Sequence, residues 1–237
     1  MDSLKDLQFT EKGNDIYITP KEGKHTETLV FMHGLGDSAK GWFDVFYAKD
    51  SPVLKTTKVV LLTAPTKAVT INFGMKMPSW FDIRDFNINA DNFETSIGVK
   101  EIEENSKRIT AVLDQELKEL DENSQRLFIG GFSQGACMAL HNGLQYPKTL
   151  GGIICFSGFG FPVTKETEEN KKTPIFISHG EEDQLLPWKK VGSTYKNVET
   201  DVRKITRSII KDLGHGIDLE VLSAANKFFK TALGTQQ

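Results

Sequence analysis

Leu127-Phe128-Ile129-Gly130-Gly131-Phe132-Ser133-Gln134-Gly135-Ala136-Cys137-Met138-Ala139-Leu140 is the stretch that decides the fold. A short apolar run over residues 126–131 reads as a strand, and residues 134–145 carry helical periodicity. Between them stands Gly-x-Ser-x-Gly, residues 131–135. A serine on a sharp strand-to-helix turn is the nucleophile elbow of an α/β sheet. The turn strains the serine backbone, and neighbours without side chains let strand and helix pack closely. The hydroxyl then projects at the carboxyl end of the sheet. A tight glycine turn holding an incidental serine is the bland alternative.

The same alternation extends outward. Strands are expected over residues 15–19, 28–32, 58–63, 126–131, 150–156, 174–178 and 204–211, the middle ones continuous in Val, Ile, Leu and Phe. Such runs suit strands covered on both faces. Helical spacing recurs over residues 96–120, through Val99, Ile102, Ile109, Val112, Leu113, Leu117 and Leu120, and over 134–145 and 217–233. The fold expected from this alternation is an α/β, mostly parallel sheet with helices on both faces. With no linker or repeat in 237 residues, one domain over 1–237 is the expectation. Residues 161–173 read as a solvated charged loop. Residues 66–95 are long and irregular yet contain Phe73, Met75, Met77, Trp80, Phe81, Phe86 and Phe93. Such a loop is often functional, with a satellite hydrophobic cluster as the alternative.

Composition narrows the classes. With 38% hydrophobic and 26% charged residues the chain is neither collagen-like nor disordered. The formal charge of −3 leaves no basic excess for nucleic acid. Two cysteines, Cys137 and Cys155, are too few for a disulfide framework or a cysteine zinc site, and their apolar settings read as buried thiols. The N-terminus, Met1-Asp2-Ser3-Leu4-Lys5-Asp6, lacks the apolar core of a signal peptide, and Gly234-Thr235-Gln236-Gln237 carries no prenylation signal. The longest apolar run, residues 150–162, falls short of the roughly 20 residues that span a bilayer. A cytoplasmic protein without metal or organic cofactor is expected.

A serine hydroxyl needs a base. Of five histidines, His25 lies in a polar segment, and His141 sits in the helix after Ser133, unable to turn back. His33 and His179 each end a strand before a glycine, and suit either a structural or a site role. His215, in Leu213-Gly214-His215-Gly216, lies between the last strand and last helix, where a loop can reach across the sheet edge. His215 is the expected base. An acid to orient it is expected in the loop His179-Gly180-Glu181-Glu182-Asp183-Gln184-Leu185-Leu186-Pro187, and the chain order Ser, acid, His supports a triad. The residues themselves leave Glu181, Glu182 and Asp183 in competition. His33-Gly34-Leu35-Gly36-Asp37-Ser38 follows a strand and can turn N–H groups toward a developing oxyanion. The expected donors are Leu35 and Gln134, the latter following the nucleophile. The same loop fits Gly-x-Gly-x-x-Ala, a dinucleotide fingerprint, but the next strand ends in Ala64-Pro65-Thr66 with no acid for a ribose.

Taken together, His33-Gly34-Leu35-Gly36-Asp37-Ser38 with Gly41-Trp42, Met77-Pro78-Ser79-Trp80-Phe81-Asp82-Ile83, Gly131-Phe132-Ser133-Gln134-Gly135, His179-Gly180 with Asp183 and Pro187, and Gly214-His215 occur in an order that resembles the acyl-protein thioesterase (lysophospholipase/carboxylesterase) family of α/β-hydrolases. The resemblance covers nearly the whole chain, and implies an α/β-hydrolase fold with a mostly parallel central sheet, helices on both faces and no large lid domain. It implies Ser133 as nucleophile, His215 as base and Asp183 as the acid, because the family's acid lies three residues after His-Gly and four before Pro. It implies Leu35 and Gln134 as oxyanion donors, and S-acylated proteins or lysophospholipids as substrates, with room for transient contact with a membrane surface. Where the family usually has a further glycine after Gly-Phe-Ser-Gln-Gly, this chain has Ala136.

The activity expected is therefore hydrolysis of medium- or long-chain acyl thioesters and esters through an acyl-enzyme. An apolar acyl site needs concave aromatic walls, and Trp80, Phe73, Met75 and Met77 are the expected wall residues. A carboxylesterase for small soluble esters is the alternative within enzymes. A lipid-binding module on a retired hydrolase fold is the alternative outside them.

Overall fold

A computed structural model describes residues 6–88 and 91–235. The readings on Met1–Lys5 and Gln236–Gln237, and on residues 89–90 of the 66–95 segment, lie outside the described residues. The elements in chain order are β1 (Leu7–Lys12), β2 (Asp15–Pro20), β3 (Glu27–Met32), α1 (Ala39–Phe46), β4 (Thr57–Leu62), β5 (Thr66–Val69), β6 (Met75–Pro78), α2 (Phe93–Ser96), α3 (Val99–Glu119), β7 (Leu127–Phe132), α4 (Gln134–Gln145), β8 (Gly152–Phe156), β9 (Ile175–Gly180), α5 (Trp188–Val191), β10 (Ile205–Ile210) and α6 (Leu219–Ala232).

Eight strands form one sheet in the order β1-β2-β4-β3-β7-β8-β9-β10. From β4 to β10 every pairing is parallel, while β1 and β2 run antiparallel at one edge. The chain steps from β3 to β4 on one side and then resumes with β7 on the other. The carboxyl ends of β3 and β7 therefore flank a topological switch point, where open α/β sheets hold their ligands.

Side chains alternate faces with the period of two that a strand dictates. Val30, Met32, Val60, Leu62, Ile129, Ile153 and Ile177 join one buried cluster, together with Ile102, Ile109 and Leu113 of α3 and Leu140 and Leu144 of α4. Leu29, Phe31, Val59, Leu61, Phe128, Ile154 and Phe176 join the other, together with Trp42 and Phe46 of α1 and Val221, Phe228 and Phe229 of α6. Asp218 caps α6 by accepting from the Val221 N–H at 2.8 Å. Among the described residues no helix is long and apolar enough to cross a membrane.

Three local readings change. Strand β1 shows water all but Leu7, so its sequence carries no apolar run to find. Residues 66–95 are more ordered than an irregular loop: β5 and β6 pair as a separate hairpin, and Trp80, Phe81, Ile83 and Phe93 enter the first core cluster. The charged segment 161–173 hides a polar knot. Asn170 is fully buried, donating to the Tyr146 carbonyl at 2.5 Å and accepting from Arg203 Nη2 at 2.6 Å. Both cysteines are buried and free, Cys137 on α4 and Cys155 on β8, and burial pushes the Cys137 thiol up to about 12.

The junction of β7 and α4 is packed to the limit of backbone contact. A Cβ on Gly131 would lie 2.3 Å from the Gly135 carbonyl, and one on Gly135 would lie 2.0 Å from the Met32 carbonyl oxygen. Ala136 fits because Gly158 faces it; a Cβ there would stand 2.6 Å from the Ala136 methyl. Gly135→Ala should force α4 off the end of β3 and cost about 3 kcal/mol or more in a denaturant melt. Gly216→Ala, with nothing within 4 Å of its would-be Cβ, is the control and should leave the midpoint nearly unchanged.

Candidate active site

Ser133 holds φ 53° and ψ −117°, a left-handed strain a β-carbon resists, and its hydroxyl stands at the head of α4. The strain is held from both sides: the Ser133 N–H donates to the Phe156 carbonyl at 2.8 Å, and its own carbonyl accepts from the Cys137 N–H. The hydroxyl lies 3.0 Å from His215 Nε2, and His215 Nδ1 lies 2.6 Å from Asp183 Oδ2. Asp183 is buried, whereas Glu181 and Glu182 are exposed. Of the three competing acids, the structure brings Asp183 alone to His215. Its Oδ1 accepts from the Leu185 and Leu186 N–H groups at 2.9 and 2.8 Å. Burial opposes ionisation of this carboxyl. Hydrogen bonds from His179, His215 and the Leu186 N–H outweigh it and hold the group well below the usual carboxylate range. The Phe132 ring packs between His215 (centroids 5.0 Å apart) and Trp42 (5.5 Å), which backs the imidazole with aromatic surface.

The two expected oxyanion arms meet beside the serine. Gln134 opens α4, a position whose N–H has no carbonyl within its own helix to pair with. Leu35 and Gln134 both line a small recess that begins at Ser133. Neither N–H meets a protein acceptor among the described residues.

Trp80 ties these arms together from beneath. Its indole N–H donates to the His33 carbonyl at 2.9 Å, at the start of the early loop. Its backbone N–H donates to Gln134 Oε1 at 3.1 Å, and its carbonyl accepts from Asn105 Nδ2 at 2.6 Å. The Gln134 amide in turn donates to the Phe81 carbonyl at 2.8 Å. His33 faces inward, its Nε2 accepting from the Ala64 N–H at 2.9 Å.

The expected acyl wall is corrected on this geometry. Trp80 is fully buried and lines neither cavity, because its N–H needs a buried acceptor and finds it in the His33 carbonyl. Phe73 is 98% exposed and Met75 58%, at the tip of the β5–β6 hairpin, away from Ser133. Met77 packs behind the early loop, its Sδ accepting from Asn72 Nδ2 at 3.2 Å. The walls are other residues. A recess of about 40 Å³ at Ser133 and a cavity of about 520 Å³ beyond it share Phe86, Ile88, Phe159, Leu185 and Leu186. One apolar surface thus runs from the serine into the larger cavity. Leu185 and Leu186 lie two and three residues after Asp183, a signal available to sequence reading because a loop that holds the acid at the sheet edge also borders the pocket. Phe86 lies in the 66–95 segment, whereas Phe159 carried no local signal.

Elsewhere, His25, Glu116 and Glu119 bring potential metal-ligand atoms within 4.8 Å of one another. The Lys58 ammonium already stands at 2.8 Å from Glu116 and 2.7 Å from Glu119, so the protein supplies the cation itself.

A strained serine at the switch point, joined through an imidazole to a buried carboxylate, is the arrangement of the serine-hydrolase branch of α/β-hydrolases. The phospholipase/carboxylesterase family profile matches residues 14–233, and the chain belongs to that family. Acyl-protein thioesterase 1 of Schizosaccharomyces pombe is 34% identical over 234 residues, spanning 96% of this chain and all of that protein. Acyl-protein thioesterase 1 homolog 1 of Dictyostelium discoideum is 33% identical over 92% of this chain and 95% of its own. Among solved structures, Arabidopsis thaliana SOBER1 superposes with a TM-score of 0.74 at 28% identity, over 87% of this chain and 99% of that one. Zea mays acyl-protein thioesterase 2 reaches 0.78 at 22% identity, over 94% and 100%, a likeness of fold.

Trp80→Phe keeps an aromatic ring but leaves a small void and strands the buried His33 carbonyl, the lost hydrogen bond alone costing about 1–3 kcal/mol. Melting should report that loss, and kcat/KM should fall by a similar factor for short and long acyl esters alike. A loss confined to long chains would return Trp80 to the acyl wall.

Proposed function

We propose that this protein hydrolyses acyl thioesters and esters carrying medium or long chains, with S-acylated proteins and lysophospholipids as its substrate classes. The observation that carries the reading is the 3.0 Å contact between Ser133 Oγ and His215 Nε2 at the mouth of an apolar passage. Ser133 attacks the acyl carbonyl as His215 takes its proton. The tetrahedral oxyanion is received by the N–H groups of Leu35 and Gln134. Collapse transfers the proton from His215 to the departing thiol or alcohol and leaves an acyl-serine. Water, activated by the same imidazole, releases the fatty acid. Asp183 holds the imidazole tautomer and stabilises the imidazolium. The acyl chain lies along Phe159, Leu185 and Leu186 toward the larger cavity. The names of the relatives, acyl-protein thioesterases in two organisms, support the thioester half of this reading.

Lipidated substrates bring the enzyme to a membrane surface, and the hairpin tip is suited to touch it. Phe73 and Met75 project there with Lys76 beside them, an arrangement that places apolar rings in the interface and a cation at the headgroups.

A fluorophosphonate probe should label the protein once and leave Ser133→Ala unlabelled. Efficiency should climb with acyl length by up to about fourfold per methylene until the passage fills, since each buried methylene contributes about 0.8 kcal/mol. Phe159→Ala should flatten that climb and spare the shortest esters. For the hairpin, Phe73→Ser with Met75→Ser should lower co-sedimentation with phosphatidylcholine–phosphatidylserine vesicles while soluble short-ester turnover stays within about twofold, because burial of a phenyl ring in an apolar medium is worth about 1.5–3 kcal/mol. Unchanged sedimentation would remove the tip from membrane contact.

A further inference from the structure

His179 is the penultimate residue of β9, and no part of it reaches solvent. Its Nε2 lies 2.7 Å from the Leu186 carbonyl oxygen and 3.1 Å from Asp183 Oδ2. Its Nδ1 is buried and meets no partner among the described residues. Two acceptors face one ring nitrogen and none faces the other, so the proton sits on Nε2. The ring cannot slide away, because Trp188 packs on its face with centroids 5.3 Å apart and Trp188 in turn rests on Tyr195.

We propose that His179 is a positioning residue for the hydrolysis: one N–H, shared between Asp183 and Leu186, fixes the acid behind His215 and the apolar wall beside Ser133 as a single unit. The proposal rests on the roles given above to Ser133, His215 and Asp183. The carboxylate has four donors, two to each oxygen: the Leu185 and Leu186 N–H groups on Oδ1, and His215 and His179 on Oδ2. Leu186 is gripped from both sides, its N–H giving to Asp183 and its carbonyl taking from His179. The acid cannot rotate without moving that leucine, and the leucine cannot move without disturbing the acid. Gly180 completes the joint. A Cβ there would meet the Leu213 carbonyl oxygen at 2.0 Å, so the missing side chain is what lets the chain leading to His215 lie against the end of β9.

The shared donor also sets how much negative charge Asp183 presents to His215. The titratable groups facing the carboxylate are His179 from β9 and His215 from the turn after β10, while Glu181 and Glu182 on its own loop are exposed. Without the His179 donor, charge concentrates toward His215 and holds an imidazolium more firmly. The free base is then reached at higher pH, and the acid limb of kcat/KM moves up. A side chain that merely filled space would leave that limb where it is.

The test measures kcat/KM from pH 5.5 to 8.5 for a short and a long p-nitrophenyl ester, with melting curves, in the full chain. His179→Leu removes the donor. His179→Asn keeps polarity but is too short to reach Asp183, and serves if the leucine variant does not fold. His179→Gln can place an amide N–H near the position of Nε2. Leu or Asn should lower the rate at pH 6 at least threefold more than the rate at pH 8, and should penalise the long ester beyond the short one. Gln should restore the wild-type profile. A pH profile in the Leu or Asn variant that superimposes on wild type overturns the proposal, whatever the melting temperature does. Asp183→Asn separates this from the underlying reading. Near-wild-type turnover there means that Asp183 is not the acid; a loss on the order of 10⁴ with unmoved His179 profiles means that only the positioning role fails.

Discussion

Backbone touches backbone where α4 meets the end of β3, and the site depends on that contact. Gly135 lets the first turn of the helix approach the Met32 carbonyl more closely than any side chain would allow. The early loop leaves β3 one residue later, at His33, so the approach fixes the distance between Ser133 and the loop that supplies Leu35. Gly131 allows the turn to be that sharp, and Ser133 accepts the strained backbone that results. A parallel sheet with a switch point between β3 and β7 provides the place; two missing β-carbons make it usable.

The rest of the site is a set of ties onto that junction. Trp80 binds the His33 carbonyl and the Gln134 side chain, so the early loop and the head of α4 share one support that is itself held by Asn105 from α3. On the other side, Asp183 is held by backbone amides of the residues that wall the apolar passage. The buried carboxylate and the apolar passage are therefore built from the same few residues. Hydrogen bonds to the charged carboxylate outweigh its burial, so the group stays ionised although it is buried.

The sequence displayed the core of this arrangement because its logic is local or ordinal. The strand, Gly-x-Ser-x-Gly and the helix are contiguous, and serine, acid and histidine follow in hydrolase order. The continuous apolar runs of β3, β4, β7 and β8 announced a sheet covered on both faces. Asp183 could not be separated from its glutamate neighbours by pattern alone, since burial of one among three adjacent acids is a property of the folded loop. Trp80 misled for a related reason. An aromatic beside methionines suggests a greasy wall, but the position of the acceptor for its N–H, a carbonyl 47 residues away in the chain, is invisible until the fold is built. The wall itself comes from Phe86, Phe159 and Leu186, which belong to three different loops and converge only in space. Strand β1 escaped notice because an edge strand facing water needs no apolar run.

The two cysteines give this molecule an internal clock. Cys137 lies one turn into the helix that carries Ser133, accepts a hydrogen bond from the Phe159 N–H at 3.3 Å, and is closed off from solvent with Cys155 beneath it. A thiol held mostly protonated and out of contact with water reacts with a disulfide reagent only when the floor of the site opens. The rate of that modification, followed at low denaturant, is a readout of how often the fold opens far enough to expose Cys137, one turn along the helix from Ser133.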